Sequence, residues 1–473
     1  MNKRYCETTT EPSLKSGGVD ISKLSLAVCL RRSYRKARLG FHTVHTFRLN
    51  QSPPRFSRAI KRDSTAFSLF AASLFFYAPS LSAQPLELGA RARLAHLTEY
   101  NQDTSIQGQA ASLALRANWQ ANWSNAITSF IQADWVASGW QNQHSDGVRF
   151  NGEPRIPDVP GGDINQLFLR YGSATQQLTL GRQTLEWDDL RFLSANNFWQ
   201  NPQSFDAFHI DRSLAETSHI QYAYISKSLR IFGRDADTRL QLSDINYHSL
   251  KGQRPRDGLG EHQMHSHALK WQWREWDYTD LTVYGYFINN ETAANFSNDT
   301  IGARLGYQQK FSNWNLRFSF AGARQKRPHF SQDYDLPYWH LQNSIGQGAY
   351  EWSLDYEYLG AHNGKALITP LGFSHEYQGW ADRFTSTPTK GVEDISLRNT
   401  SRWGRLRMDI RYHQFFSVQD NDQYGHEMDA ELGYQFAVNQ KIALRMARFW
   451  AEPEYKNSLK SVRNFYLTGN YQY

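Results

Sequence analysis

The chain has 473 residues, with 52 Lys+Arg against 45 Asp+Glu, 14% aromatic residues and only two cysteines. Residues 1–83 carry 14 Lys+Arg and 4 Asp+Glu, which leaves 38 against 41 in residues 84–473, a net charge of −3. The basic balance therefore belongs to the N-terminus, and a nucleic-acid partner has no global electrostatic support. Cys6 and Cys29 also fall there, so residues 84–473 contain no disulfide and no cysteine metal site. Mean hydropathy is −0.66, and no apolar run is long enough for a helical membrane span.

In chain order, residues 1–57 lack periodicity and read as an unstructured extension or a mis-assigned translation start. Residues 58–83 read as a secretory signal peptide. Arg58, Lys61 and Arg62 precede an apolar run from Ala66 to Ala78, and small residues follow for cleavage near Ser82 or Ala83.

From residue 84 to 473 one theme repeats. Leu86, Leu88, Ala90, Ala92 and Leu94 alternate with Glu87, Gly89, Arg91 and Arg93. Leu113, Leu115, Ala117 and Trp119 alternate with Arg116, Asn118 and Gln120. After a tight turn at Ser124 and Asn125, Ile127 to Ala137 returns. Ile301 to Tyr307, Trp314 to Phe320, Leu406 to Tyr412, Met428 to Phe436 and Ile442 to Met446 are further copies. This is period-2 amphipathicity, the signature of strands with one apolar face.

The final segment is the clearest. Phe465, Leu467, Gly469, Tyr471 and Tyr473 alternate with Asn464, Tyr466, Thr468, Asn470 and Gln472. It resembles the C-terminal signal read by the assembly machinery of Gram-negative outer membranes.

Strands of about ten residues, with short turns alternating with longer polar loops, predict an all-β fold: a single transmembrane antiparallel up-and-down β-barrel. Segment counting gives nineteen, with a parity clash between Gln177 and Gln263. At roughly 21 residues per strand and connection the expectation is about 18 strands, with 16 as the alternative. The short connections at Ser124–Asn125, 402–404 and 437–439 would face the periplasm. Those at 138–162, 361–391, 417–426 and 452–462 would face outward. The expected location is the bacterial outer membrane, with outer-membrane lipid and lipopolysaccharide as surroundings and Phe465–Tyr473 engaging the barrel-assembly machinery.

If the apolar face meets lipid, the other face lines the pore. That rule points Arg91, Arg93, Arg116, Arg170, Lys270, Arg274, Arg304, Arg317, Arg405, Arg407, Arg411 and Arg445 inward. With them go Glu87, Asp134, Glu351, Asp355, Glu357, Asp409, Glu427, Asp429 and Glu431, because a charge at the bilayer midplane costs about 2–4 kcal/mol. Arg405, Arg407 and Arg411 are expected to pair with acids on segments 351–357 and 427–431. Arg91, Arg93, Arg116, Arg304 and Arg317 have fewer obvious partners and make the better case for binding an anionic solute.

Two stretches resemble the alginate-export-type outer-membrane porins. The first is Gly181 to Leu193, with Arg182, Asp189 and Arg191, followed by Phe198 to Phe208 with Phe205 and Asp206. The second runs from Glu357 to Asp394 through Thr369, His375, Trp380, Asp382 and Phe384. The family often carries Arg where this chain has Trp199. The resemblance implies a barrel and export of an alginate-type polysaccharide. Asp189 and Arg191, on a loop, are expected to pair with Arg182 and Asp206. Trp380 and Phe384 either stack on sugar or anchor their loop on the barrel rim, and anchoring is favoured.

Catalysis is not expected. There is no G-x-S-x-G, and His262, His265 and His267, placed on a loop, suit a solvated or adventitious metal site. No cofactor or metal is assigned. The expected function is a passive channel for an anionic or sugar-like solute. The alternatives are a structural or adhesive barrel and an integral outer-membrane hydrolase.

Overall fold

The computed structural model describes residues 82–101, 104–233, 260–328 and 334–472. Residues 1–81, where an extension and most of a signal peptide are expected, lie outside the described residues, while Ser82 and Ala83 pair with Asn122 and Ala121. Tyr473 also lies outside them.

Eighteen antiparallel strands form the wall: β1 Glu87–Asn101, β2 Thr104–Asn122, β3 Ile127–Gly139, β4 Gly161–Gly172, β5 Gln176–Gln183 and β6 Ser204–Ala215, then β7 Ser218–Leu229, β8 Glu261–Trp273, β9 Thr279–Ile288, β10 Asn298–Phe311, β11 Trp314–Lys326 and β12 Asp335–Gln347, and finally β13 Tyr350–Leu359, β14 Val392–Trp403, β15 Leu406–Phe416, β16 Gln423–Ala437, β17 Gln440–Ala451 and β18 Ser461–Gln472. Each pairs with its sequence neighbour. The last closes on the first, with Leu94 opposite Leu467 and Arg91 opposite Asn470. Closure leaves no unpaired strand edge, which a bilayer demands. The nineteenth segment of the sequence count is not among the described strands.

At the end where the wall begins and finishes, connections are two to five residues long. Gly348 and Gly404 sit at φ 59° and 58°, the left-handed conformation that a two-residue hairpin turn requires. At the other end lie 140–160, 184–203, 360–391 and 452–460. Barrels of this kind keep short turns in the periplasm, so these longer loops belong outside.

The exterior is apolar. Leu167, Leu180, Ile301 and Leu354 are each more than half exposed. Such exposure along a whole sheet is a lipid-facing surface. The interior differs from the wet lumen that alternation suggests. Its loop-filled half is a packed apolar core, in which inward wall residues such as Ile225, Tyr284, Tyr338, Phe415 and Phe449 meet Trp187, Leu193, Leu371, Trp380 and Phe384 from the loops.

Several expectations change. Arg405 and Arg274 fall in turns, just beyond their strands, and Arg405 donates to the Phe436 carbonyl at 2.8 Å. β15 does not pair with 351–357, because β14 lies between them. That strand carries Glu393, Arg398 and several hydroxyls, which weaken its two-faced signal. His262, His265 and His267 lie on β8 rather than a loop, and alternation divides them. His262 is buried against Asn290, while His265 and His267 bond Tyr224 and Tyr222 on the outer face. Among the described residues no three ligands gather for a metal.

Candidate functional site: a lumen divided by two loops

Loop 184–203 crosses the barrel. At its end the Asn197 and Trp199 carbonyls accept Arg91 Nη1 from β1 at 2.9 and 3.3 Å. Arg93 Nη2 donates to the Phe198 carbonyl, and its Nη1 pairs with Asp158 of loop 140–160 at 2.9 Å. Toward its start, Asp188 pairs with Arg304 on β10 at 2.7 Å, and Arg191 with Glu357 on β13 at 2.7 Å. β1 and β10 stand half a circumference apart in an 18-stranded barrel, so the loop spans the bore.

Loop 360–391 covers the remaining sector. Its Trp380 and Ala381 amides donate to Asp429 and Glu427 of β16 at 3.1 and 2.7 Å. Trp380 is buried between two guanidiniums, Arg445 at 4.0 Å and Arg411 at 4.4 Å from its ring centroid. Phe384 packs on Phe415, 4.5 Å between centroids. Both aromatics anchor the loop, but inside the lumen rather than on the rim. The loops join through Ser194 donating to the Leu371 carbonyl, Phe373 donating to that of Leu190, and Phe198 stacked on His375.

Burial pushes the Asp188 carboxyl up, and neighbouring Asp189 adds to this despite Arg304. Burial acts on Asp189 in the same sense, yet His340 and the Arg191 amide hold its carboxyl below the usual range. Burial pushes the His375 imidazole down, against the pull of Asp382 at 3.0 Å. Glu376 is only half-buried, and desolvation pushes its carboxyl up, but Arg411 and Arg445 outweigh this and keep it low.

The expected loop network is therefore two separate networks. Arg182 and Asp206 face each other across β5 and β6 and pair at 2.8 Å. Asp189 and Arg191 instead engage His340 and Glu357, since loop 184–203 carries them away from β5 toward the far wall. Asp382 holds His375.

The arginines expected to be free are mostly paired. Arg116 binds Asp134 through two bonds of 2.8 Å, Arg304 meets Asp188 and Asp280, and Arg317 meets Glu351. On β15, Arg407 and Arg411 share Asp409 with Arg398, and Arg411 also reaches Glu376. Arg445 pairs with Glu431. Arg170 leans on Phe168 at 5.0 Å and donates to Thr179.

Arg91 is different. Its three hydrogen-bond partners are neutral: the two loop carbonyls and Asn470 Oδ1 at 2.9 Å. The acids whose charge reaches it, Asp158 and Asp134, are held by Arg93 and Arg116. Arg91 borders a cavity of about 350 Å³ that opens toward the short-turn end and is also lined by Glu87, Arg116, Asp134, Gln200 and Lys441. Above the loop lies a second cavity of about 450 Å³, bounded by Trp199, Arg383 and Tyr466. A third, of about 290 Å³, holds Arg304, Arg317 and His340. Loop 184–203 contributes residues to all three, so it is the partition between them. Sequence reasoning missed Asp158, Asp188 and the loop carbonyls as partners. Prolines on both sides of Asp158 mark a fixed loop, but no local pattern shows which strand it meets.

The architecture defines a membrane protein: a closed 18-stranded antiparallel barrel with a lipid-facing exterior and inward-folded loops, of the kind found among bacterial outer-membrane porins. No family model and no curated protein matches the sequence. Among solved structures, OpdK of Pseudomonas aeruginosa with vanillate aligns with a TM-score of 0.58 at 12% identity, covering 82% of this chain and 98% of that one. OccK3 (OpdO) from the same organism aligns at 0.59 and 11%, covering 82% and 95%. Acinetobacter baumannii OccAB2 aligns at 0.58 and 13%, covering 82% and 98%. The likeness is one of fold; the closed barrel with its lipid-facing exterior is what locates the chain in the outer membrane. It gives no support to the alginate-export family suggested by 181–208 and 357–394. Charged residues in those stretches instead fix the internal loops to the wall.

Proposed function

We propose that the protein is a constricted outer-membrane channel for small anionic solutes. The observation that carries this reading is Arg91. It is a guanidinium at the partition, bonded only to neutral acceptors, beside an aqueous cavity, with the acids within its reach neutralised by other arginines. A planar fork with unspent donors suits a carboxylate. The surrounding paired charges allow weak contacts in series, as flux requires, since a tight site would trap its solute.

The OpdK structure with vanillate, itself a small carboxylate, accords with this reading. An extended polysaccharide would need loops 184–203 and 360–391 to leave the bore, and their buried anchors oppose that. A neutral sugar would make no special use of Arg91.

Liposome swelling with gluconate and glucose, solutes of similar size, separates these cases. Faster entry of gluconate is expected, together with loss of that preference in Arg91→Gln while glucose entry is unchanged. Equal rates for both solutes in the native protein would overturn the anionic reading.

A further inference from the structure

The outer surface of the barrel carries a second basic site, unrelated to the lumen. On β17 and β18, Arg448 and Arg463 are direct cross-strand partners. Strand alternation puts both on the outer face, since inward Ala447, Phe449, Val462 and Asn464 are buried around them. Side chains of directly opposed residues lie about 5 Å apart at Cβ, and like charges in that position repel. Neither arginine has an acidic partner among the described residues. Glu452 and Glu454, on the loop above, form no ion pair with them. The guanidinium of Arg448 lies over the Tyr100 ring at 4.3 Å and the Trp450 ring at 5.4 Å, and His426 stacks on Trp450.

The height of this cluster gives it meaning. Arg463 is two residues from the outer end of β18, and Arg448 three from that of β17. Below them on the same face run Met446, Leu444 and Ile442 beside Phe465, Leu467 and Tyr471, an apolar stripe that meets hydrocarbon. The pair therefore stands where the hydrocarbon of the outer leaflet gives way to headgroups. Aromatic rings mark that boundary.

We propose that Arg448 and Arg463, shelved by Tyr100 and Trp450, bind the phosphate of a phosphorylated glycolipid headgroup in the outer leaflet, as presented by lipopolysaccharide. A phosphate offers several acceptor oxygens, enough for both forks, and relieves a repulsion that the protein itself leaves uncompensated. The acyl chains would lie along the apolar stripe below. The site is a fixed lipid contact, independent of transport.

Native mass spectrometry of the full chain in detergent tests this, using lipid A with and without its phosphates as probes. Phosphorylated lipid A should remain bound. Dephosphorylated lipid A should bind about tenfold more weakly, and the pair Arg448→Gln/Arg463→Gln should lose the phosphorylated lipid to a similar extent. The heat-shifted electrophoretic mobility of a closed barrel shows whether the variant is folded. Equal binding of the two lipids by the native protein would overturn the proposal without any variant. So would full lipid retention by a folded double variant. Displacement of the lipid by inorganic phosphate at matched concentration would show a free-anion site and equally contradict the lipid assignment.

Discussion

Arg191, on the loop that crosses the bore, and Glu357, on the wall strand beyond it, form a buried ion pair of 2.7 Å that pins the partition in place. Tyr338 donates to Glu357 at 3.0 Å, Gln378 of the second loop donates to the same carboxylate, and Tyr377 underlies the Arg191 guanidinium at 4.5 Å. Both loops thus converge on one acid. Removing a single partner strands a buried charge, which costs about 3–5 kcal/mol. Glu357→Gln is expected to lower the denaturant midpoint of the refolded barrel and to raise its conductance as the loops loosen. Single-channel recordings and a guanidinium titration check this, and native-like values for both would contradict the pinning role.

Gly379 is the second fixed point. It sits at φ +79°, and a Cβ there would fall 2.5 Å from the Glu427 carboxylate. Backbone strain of this kind costs about 1–3 kcal/mol. Gly379→Ala should therefore free the stretch that carries Trp380 and Ala381 from Asp429 and Glu427. Faster tryptic cleavage after Arg383 and Lys390 is the expected result, and an unchanged digestion pattern would count against it.

Acidification should loosen the same loop. His375 has its imidazole depressed by burial, with Asp382 opposing and Arg445 assisting. A depressed histidine favours the native state fully above its ordinary 6.5, and that stability is lost as pH falls from there toward the native value. Glu376, held low by Arg411 and Arg445 against burial, adds a loss in the same direction below its ordinary 4.5. Open-channel noise should therefore grow as pH is lowered through 6.5 and further below 4.5. His375→Gln should remove the first step alone.

The exterior predicts a different failure. Leu354, at 53% exposure midway along β13, faces lipid, and arginine at the bilayer midplane costs about 2–4 kcal/mol. Leu354→Arg should reduce folding yield into bilayers. A polar substitution at the inward neighbour Ser353 should be tolerated. Similar yields for the two variants would place the lipid face wrongly.

The wall was legible because its physics is local. Each residue's face follows from alternation, and Leu113, Leu115, Phe465 and Leu467 declare theirs without reference to distant chain. The closing strand and the side on which the long loops lie follow from the same rule. The lumen was not legible in that way. Whether Arg93 is free or buried depends on Asp158, which lies 65 residues away on an inward-folded loop. Asp189 and Arg191 looked like partners for Arg182 and Asp206 because they are near in sequence. Their true partners, His340 and Glu357, are set by how far the loop reaches. The connections at 361–391 and 402–404 already bracketed β14, but pairing β15 directly with 351–357 skipped over it and put β15 beside acids that belong to a strand one further along the wall. Of Arg91, Arg93, Arg116, Arg304 and Arg317, the five expected to have few partners, Arg91 is the one that meets no acid among the described residues.

The central claim is that Arg91 confers anion preference on a channel narrowed by loops 184–203 and 360–391. The reversal potential of the refolded protein in a planar bilayer, under a potassium chloride gradient, tests it most directly. A potential of the sign for anion selectivity is expected, moving toward zero in Arg91→Gln. A silent bilayer, a cation-selective potential, or an anion preference untouched by Arg91→Gln would contradict it.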